Sequence, residues 1–293
     1  MFNIRVFFLA FFVMVSLQGN ARAGGAEEVQ YLWQITGLNN PESVEYDPGS
    51  NTLFISNVNG NPNEKDGNGY ISRITPDGHM IAQHWVTGLN APKGLVVSGN
   101  KLYAADIDTL VEIDIPTATI TNRYTVSDAK FLNDVTADAD GNVYVSDMVM
   151  DRIHILHNGV FSIWLESPEL LNPNGLLVVG NQMIVCAWGV MTDGFATKVP
   201  GHLLSISMTD KTIRPIGNGS PVGNLDGVEP DSDGNFYVTD WMAGKLFHIK
   251  KDGSVNLLLT LQQGMADLEY MDNSQIALLP MMADNKLLAY KIE

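Results

Sequence analysis

Six times along this chain a strand-length run is followed by a tight turn and a second run of alternating apolar residues. The segments are PESVEYDPGSNTLFISN from Pro41, PKGLVVSGNKLYAAD from Pro92, LNDVTADADGNVYVSD from Leu132, PNGLLVVGNQMIVCAW from Pro173, LDGVEPDSDGNFYVTD from Leu225 and ADLEYMDNSQIALLPM from Ala266. After each of the first five comes another hairpin, such as GKLFHIKKDGSVNLLLTL, so one unit holds four short strands. Self-similarity at about 40 residues with four strands per unit predicts an all-β, six-bladed β-propeller, in which each blade buries its faces against two neighbours. The sixth unit stops at Glu293 before a fourth strand, and an open sheet edge is a pairing liability. The segment VQYLWQI, from Val29 to Ile35, is expected to supply that outer strand and close the ring.

Arg5, the apolar run from Val6 to Leu17 and the small-x-small pattern Ala21-Arg22-Ala23 read as a secretory signal peptide over residues 1–23. The propeller is then expected over 24–293, secreted or periplasmic, with no membrane insertion, because no run reaches the roughly 20 apolar residues that span a bilayer. Without Arg5 and Arg22 the chain carries 15 basic against 33 acidic residues. Such a surface repels phosphate backbones, which argues against nucleic acid as a partner. Cys186, the single cysteine, lies in the apolar run MIVCAW and reads as a small buried hydrophobe. His154 and His157 point to opposite faces of one strand, and the other histidines, 79, 84, 202 and 248, are scattered, so a histidine zinc site is not expected.

DADGN at Asp138 and DSDGN at Asp231 look like openings of calcium loops. An EF-hand needs Gly at its sixth position and Glu at its twelfth, where these segments hold Val143 and Val149, and Phe236 and Met242. Both are hairpin turns, in which Gly takes the positive φ.

The second residues of the six segments are Glu42, Lys93, Asn133, Asn174, Asp226 and Asp267. First strands line the channel of a propeller, so these six are expected to form a ring at one mouth. Five offer oxygen, and mixed carboxylate and amide oxygens select a hard cation such as Ca²⁺. The DADGN turn, five residues further on, lies roughly 17 Å from that ring at about 3.3 Å per residue. Two units are lengthened, by NVNGNPNEKDGNG from Asn57 and WGVMTDGFATKVPGH from Trp188, and both insertions fall where they rise on the ring's face. Trp188 and Trp241, just after second strands, are candidates for an apolar wall there or for packing between blades.

Glu42 in PES, Asn133 in LND, Asn174 in PNG and Asp226 in LDG resemble the ordered calcium set of the senescence marker protein, gluconolactonase and luciferin-regenerating enzyme family, six-bladed propellers to which diisopropyl fluorophosphatases and paraoxonases are similar. The resemblance covers the whole mature chain. It implies an exported calcium-dependent hydrolase of a lactone or related ester, a small-molecule substrate, and a general base or nucleophile at Asp226, which is also a ligand. Asp134, next to Asn133, is expected to orient the ligands, and Asp267, the sixth ring member, to ligate through water. Two positions depart from the family pattern. Phe131, expected in the substrate pocket, stands where the sugar lactonases carry an Arg. Lys93 enters the ring, where it can pair with Glu42 or Asp226, take the place of the ion, or act catalytically as a clamp on an anionic substrate or oxyanion. The alternative is a non-catalytic propeller that binds a small molecule or protein partner at the same mouth, since fold alone fixes no chemistry. A third reading, a strictosidine-synthase-like condensation enzyme, needs a glutamate in the channel, with Glu229 or Glu269 as candidates.

Overall fold

The structure, a computed structural model, describes residues 27–293, so the leader expected over 1–23 lies outside the described residues. Six four-stranded antiparallel sheets stand around one axis, joined by turns and three single 3₁₀ turns. The first strands of the blades are Pro41–Asp47, Pro92–Ser98, Leu132–Ala137, Pro173–Val179, Leu225–Pro230 and Glu269–Met271. They lie side by side around the axis, and blade 6 returns to blade 1. The expected closure is present: Val29–Thr36 pairs antiparallel with Lys286–Ile292, from Val29 opposite Ile292 to Thr36 opposite Lys286. Among the described residues no helix is long and apolar enough to cross a membrane.

The alternation in second strands does not separate core from solvent. In Val143–Asp147 and Phe236–Asp240 every residue is buried, because each blade is covered on both faces by its neighbours. The outer strand Val255–Thr260 is half exposed. Six apolar clusters fill the six spaces between blades, for example Phe54, Ile71 and Leu89 of blade 1 on Leu95, Leu102 and Val111 of blade 2. Cys186 is fully buried in the space between blades 4 and 5.

The two aspartate-rich turns close hairpins. Asp138 Oδ1 accepts from the N–H groups of Asp140 and Asn142, and its Oδ2 from Asn142 Nδ2 and Tyr144 Oη. Asp231 repeats the pattern with Asp233 and Asn235, its Oδ2 facing His248. Their lone pairs are committed to the turn.

Candidate active site at the upper channel mouth

In five blades the first strand breaks register after its first residue: between Pro41 and Val44, Pro92 and Leu95, Leu132 and Val135, Pro173 and Leu176, and Leu225 and Val228. The second and third residues of each strand sit in that bulge, and a bulge re-aims a side chain out of the sheet pattern. This aims Glu42, Lys93, Asn133, Asn174 and Asp226 at one cavity of about 280 Å³. In three blades the third residue is glycine, for a steric reason. A Cβ on Gly175 would lie 2.1 Å from the Asp226 carbonyl oxygen, and one on Gly227 2.3 Å from Asp267 Oδ1. Only glycine lets the neighbouring first strand approach so closely. The loops leading into the bulges are pinned by residues ending the second strands. Asp147 accepts from the N–H groups of Lys130 and Phe131, Asp106 from those of Asn90 and Ala91, and Asn57 Oδ1 from that of Asn39.

The cavity floor is polar and buried: Glu42 is 6% exposed, Asn133 5%, Asn174 2%, Asp226 4% and Lys93 2%. Asn174 Nδ2 donates to Asp226 Oδ2 at 3.1 Å, and Asn133 Nδ2 to Met148 Sδ at 3.6 Å. Two buried oxygens, Glu42 Oε2 and Asp226 Oδ1, have no hydrogen-bond partner among the described residues. Burial, and then the charge of Asp226, push the Glu42 carboxyl well above the usual range, with Lys93 opposing. Burial and Asp267 do the same to Asp226, against the Asn174 hydrogen bond. An orphaned buried acceptor is costly unless something fills it, so the pair suits a cation. No group of three His, Cys, Asp or Glu side chains among the described residues is placed to hold a metal. The donor set here is two carboxylates and two amides, which fits an oxygen-loving ion.

Lys93 forms no salt bridge with Glu42 or Asp226, contrary to the first of the expected pairings. Its ammonium donates to the carbonyls of Pro62 and Ala91, at 3.1 Å each, and lies 4.5 Å from the Phe131 ring centroid. Carbonyl dipoles and a ring face satisfy it without stripping water from a second charge. Burial lowers it to about 8, with Glu42 and Asp106 pulling the other way.

Asp267 is not the sixth member of this ring. The first strand of blade 6 starts only at Glu269, so Asp267 precedes it. Its N–H donates to the Glu42 carbonyl, its Oδ2 accepts from Ser43 Oγ at 2.7 Å, and it lines the channel below. Asp134 also faces the lower channel, its carboxylate accepting from Val135 N–H and, across to blade 4, from Leu176 N–H at 2.6 Å. It bridges blades and makes no hydrogen bond to Glu42, Asn133, Asn174 or Asp226. Glu229 and Glu269 line the opposite mouth with Glu45, away from this cavity.

Above the floor the walls are apolar. Phe131, Trp188 and Trp241 line the cavity, and the two indoles also pack on each other, centroids 6.3 Å apart. Met148, Met282, Phe195 and Pro62 complete the wall and were not anticipated. Four of the seven had a periodic signal, because Met148, Trp188, Trp241 and Met282 each directly follow a second strand, as do Val58 and Ile107. These last two close over Ala91 and Met282, which seals that side. Phe195 comes from the blade 4 insertion, where Met191–Asp193 and Ala196–Thr197 form a two-stranded ribbon. Pro62 comes from the blade 1 insertion, so both long loops reach this mouth.

No family model matches the chain, and no curated protein does. Solved structures share its fold at low identity. Virginiamycin B lyase from Staphylococcus aureus aligns at TM-score 0.62 and 12% identity, covering 91% of this chain and 99% of that one. A gluconolactonase from Xanthomonas campestris aligns at TM-score 0.66 and 12% identity, over 90% and 95%. A luciferin-regenerating enzyme aligns at TM-score 0.61 and 13% identity, over 91% and 95%. The chain is thus similar in fold to six-bladed propellers that include gluconolactonase and luciferin-regenerating enzyme.

Proposed function

We propose that this protein is an exported calcium-dependent hydrolase of a lactone or related ester. The supporting observation is the pair of buried oxygens, Glu42 Oε2 and Asp226 Oδ1, unpartnered beside two amide side chains at the floor of a cavity. Glu42, Asn133, Asn174 and Asp226 would hold the ion, which when bound supplies Lewis-acid polarisation of a carbonyl oxygen and acidifies water. The remaining chemistry belongs to the chain. Asp226 has one oxygen fixed by Asn174 and one free, so Oδ1 takes the proton of the attacking water. The hydroxyl oxygen adds to the carbonyl carbon, the ring C–O bond breaks, and the same proton passes to the leaving alkoxide, giving a hydroxy acid. Lys93 spends two of its three N–H donors on carbonyls, and its third would leave the Phe131 ring face for the developing oxyanion. The apolar collar keeps bulk water from the floor. Export rests on the signal peptide read in the sequence over residues 1–23.

The test is metal analysis of the purified mature protein, paired with a lactone and ester panel with and without chelator. Stoichiometric calcium and chelator-sensitive turnover are expected. Bound calcium with no turnover would make the propeller a binding module for a small molecule or protein partner. Absence of calcium, with a large stability loss in Lys93→Met, would mean that Lys93 serves in place of the ion.

A further inference from the structure

The walls of the cavity say more about its ligand than the floor does. Phe131, Met148, Trp188, Phe195, Trp241 and Met282 make the wall above the ring almost wholly apolar, the Trp241 indole N–H being its one side-chain donor without a partner among the described residues. The Trp188 indole N–H, which could have met a hydroxyl, donates instead to the Phe195 carbonyl at 2.9 Å. Phe195 lies 5.5 Å from Phe131 and 6.2 Å from Trp188, centroid to centroid, so the inserted ribbon adds a fourth aromatic side chain to the cavity wall. The apolar character continues outward onto solvent. Val149 and Met242, next to Met148 and Trp241, are 47% and 39% exposed, and Val190 and Val199 of the insertion are 59% each. Singly such residues are ordinary, but all four are near in the chain to residues of the wall or of the ribbon that carries Phe195.

We infer that the ligand's acyl part is an uncharged alkyl or aryl group without hydroxyls, and that Phe195 and Trp188 set this specificity. The inference rests on the hydrolase reading of the same site for the carbonyl end of the ligand. A buried hydroxyl meeting these walls loses water and, away from the Trp241 N–H, gains no partner. A methylene there is favourable, at roughly fourfold in affinity for each one fully buried. At about 30 Å³ per water-sized group, 280 Å³ holds on the order of ten non-hydrogen atoms, so a longer tail extends beyond the cavity.

The experiment uses lactams, which keep the ring carbonyl and resist hydrolysis, with binding read by calorimetry and by tryptophan fluorescence on the calcium-loaded protein. γ-Lactams with methyl, butyl and hexyl tails should bind progressively tighter, by two- to fourfold per methylene until the cavity is full. A polyhydroxylated lactam of equal size should bind at least tenfold more weakly than the alkyl one. Phe195→Ser should flatten the tail-length slope, costing the hexyl lactam several times more affinity than the tail-less one. A polyhydroxylated lactam binding tighter than its alkyl counterpart overturns the inference. So does a flat slope in the wild type, or a slope that Phe195→Ser leaves intact. The same lactones assayed for turnover separate the two readings. A steep slope with no hydrolysis sinks the hydrolase and keeps the apolar ligand, whereas rapid hydrolysis of sugar lactones in preference to alkyl lactones does the reverse.

Discussion

At the lower mouth of the channel Glu45 Oε1 accepts from Val97 N–H and Glu269 Oε2 from Tyr46 N–H, each at 2.7 Å and each across a blade boundary. At the upper mouth Glu42 Oε2 and Asp226 Oδ1 accept nothing. All four are acidic side chains on first strands, and all are pushed above the usual carboxylate range chiefly by burial. The first strand of each blade has one unpaired edge, and a carboxylate that reaches over it satisfies an N–H that would otherwise be orphaned. Acidity near the axis therefore does not distinguish structure from function here. The distinction is whether a carboxylate oxygen shut off from solvent has a donor: among the described residues the only such carboxylate oxygens without one are Glu42 Oε2 and Asp226 Oδ1, both in the bulges of the upper mouth.

Four substitutions or conditions bear on that contrast. The largest effect belongs to Asp226→Asn, which removes the base and one charged ligand together. Turnover should fall by about 10²–10⁴ and calcium affinity with it, while the melting temperature without calcium stays level or rises. Parallel assays and calcium titration check this, with Glu45→Gln as the lower-mouth control that keeps both. If Glu45→Gln is as damaging, the two mouths are not functionally distinct.

Gly175→Ala comes next. A Cβ 2.1 Å from the Asp226 carbonyl forces blades 4 and 5 apart at the bulge, at a cost of about 1–3 kcal/mol. Calcium affinity should fall although no ligand is changed. A denaturant titration beside a calcium titration would show whether the bulge does the aiming.

The pH dependence of the melt without calcium is a smaller effect. Asp267 and Glu269 are raised to about 7, mainly by burial, opposed by the Ser43 and Tyr46 hydrogen bonds respectively. Unfolded carboxylates titrate near 4. Between roughly pH 4 and 7 the folded protein holds more protons than the unfolded chain, so stability falls as pH rises through that window. Glu269→Gln, which retains an acceptor for Tyr46, should flatten the fall. A melting temperature that climbs steadily from pH 5 to 8 in the wild type would contradict the assignment.

The smallest effect on the site is expected from replacing Asp138 and Asp140 together. The hairpin loses the bonds to Asn142 and Tyr144, with a local stability cost, but calcium affinity measured by calorimetry should not move. A loss comparable to that of Asn133→Ala would place the ion in the turn.

The blades were legible because their period is a property of the chain. Each unit must cover two faces and turn twice, and Asp-Gly steps between alternating apolar runs say where it turns. Five ring residues were legible for the same reason, as one position of a repeat. Asp267 was not, because blade 6 begins its first strand later than the repeat implies, at Glu269, and alignment of sequence units cannot register that offset. Phe195 was hidden in an insertion with no counterpart in other blades, whereas Met148 and Met282 stood at the repeat position that follows each second strand, a signal that the two tryptophans shared.

The sequence by itself determined the number of blades, the closing strand, the identity of the turns and the polar character of the ring, all of which follow from local periodicity and residue chemistry. Only the tertiary structure decided which carboxylate oxygens are spent and which are free. Val97, Tyr46 and Leu176 lie 42 to 223 residues from the acids that cap them, and Lys93 is drawn from the nearby carboxylates by a carbonyl in another blade's loop. Hydrogen bonding is satisfied by whatever lies within about 3 Å, and across a closed ring that neighbour is set by the packing of blades rather than by position along the chain.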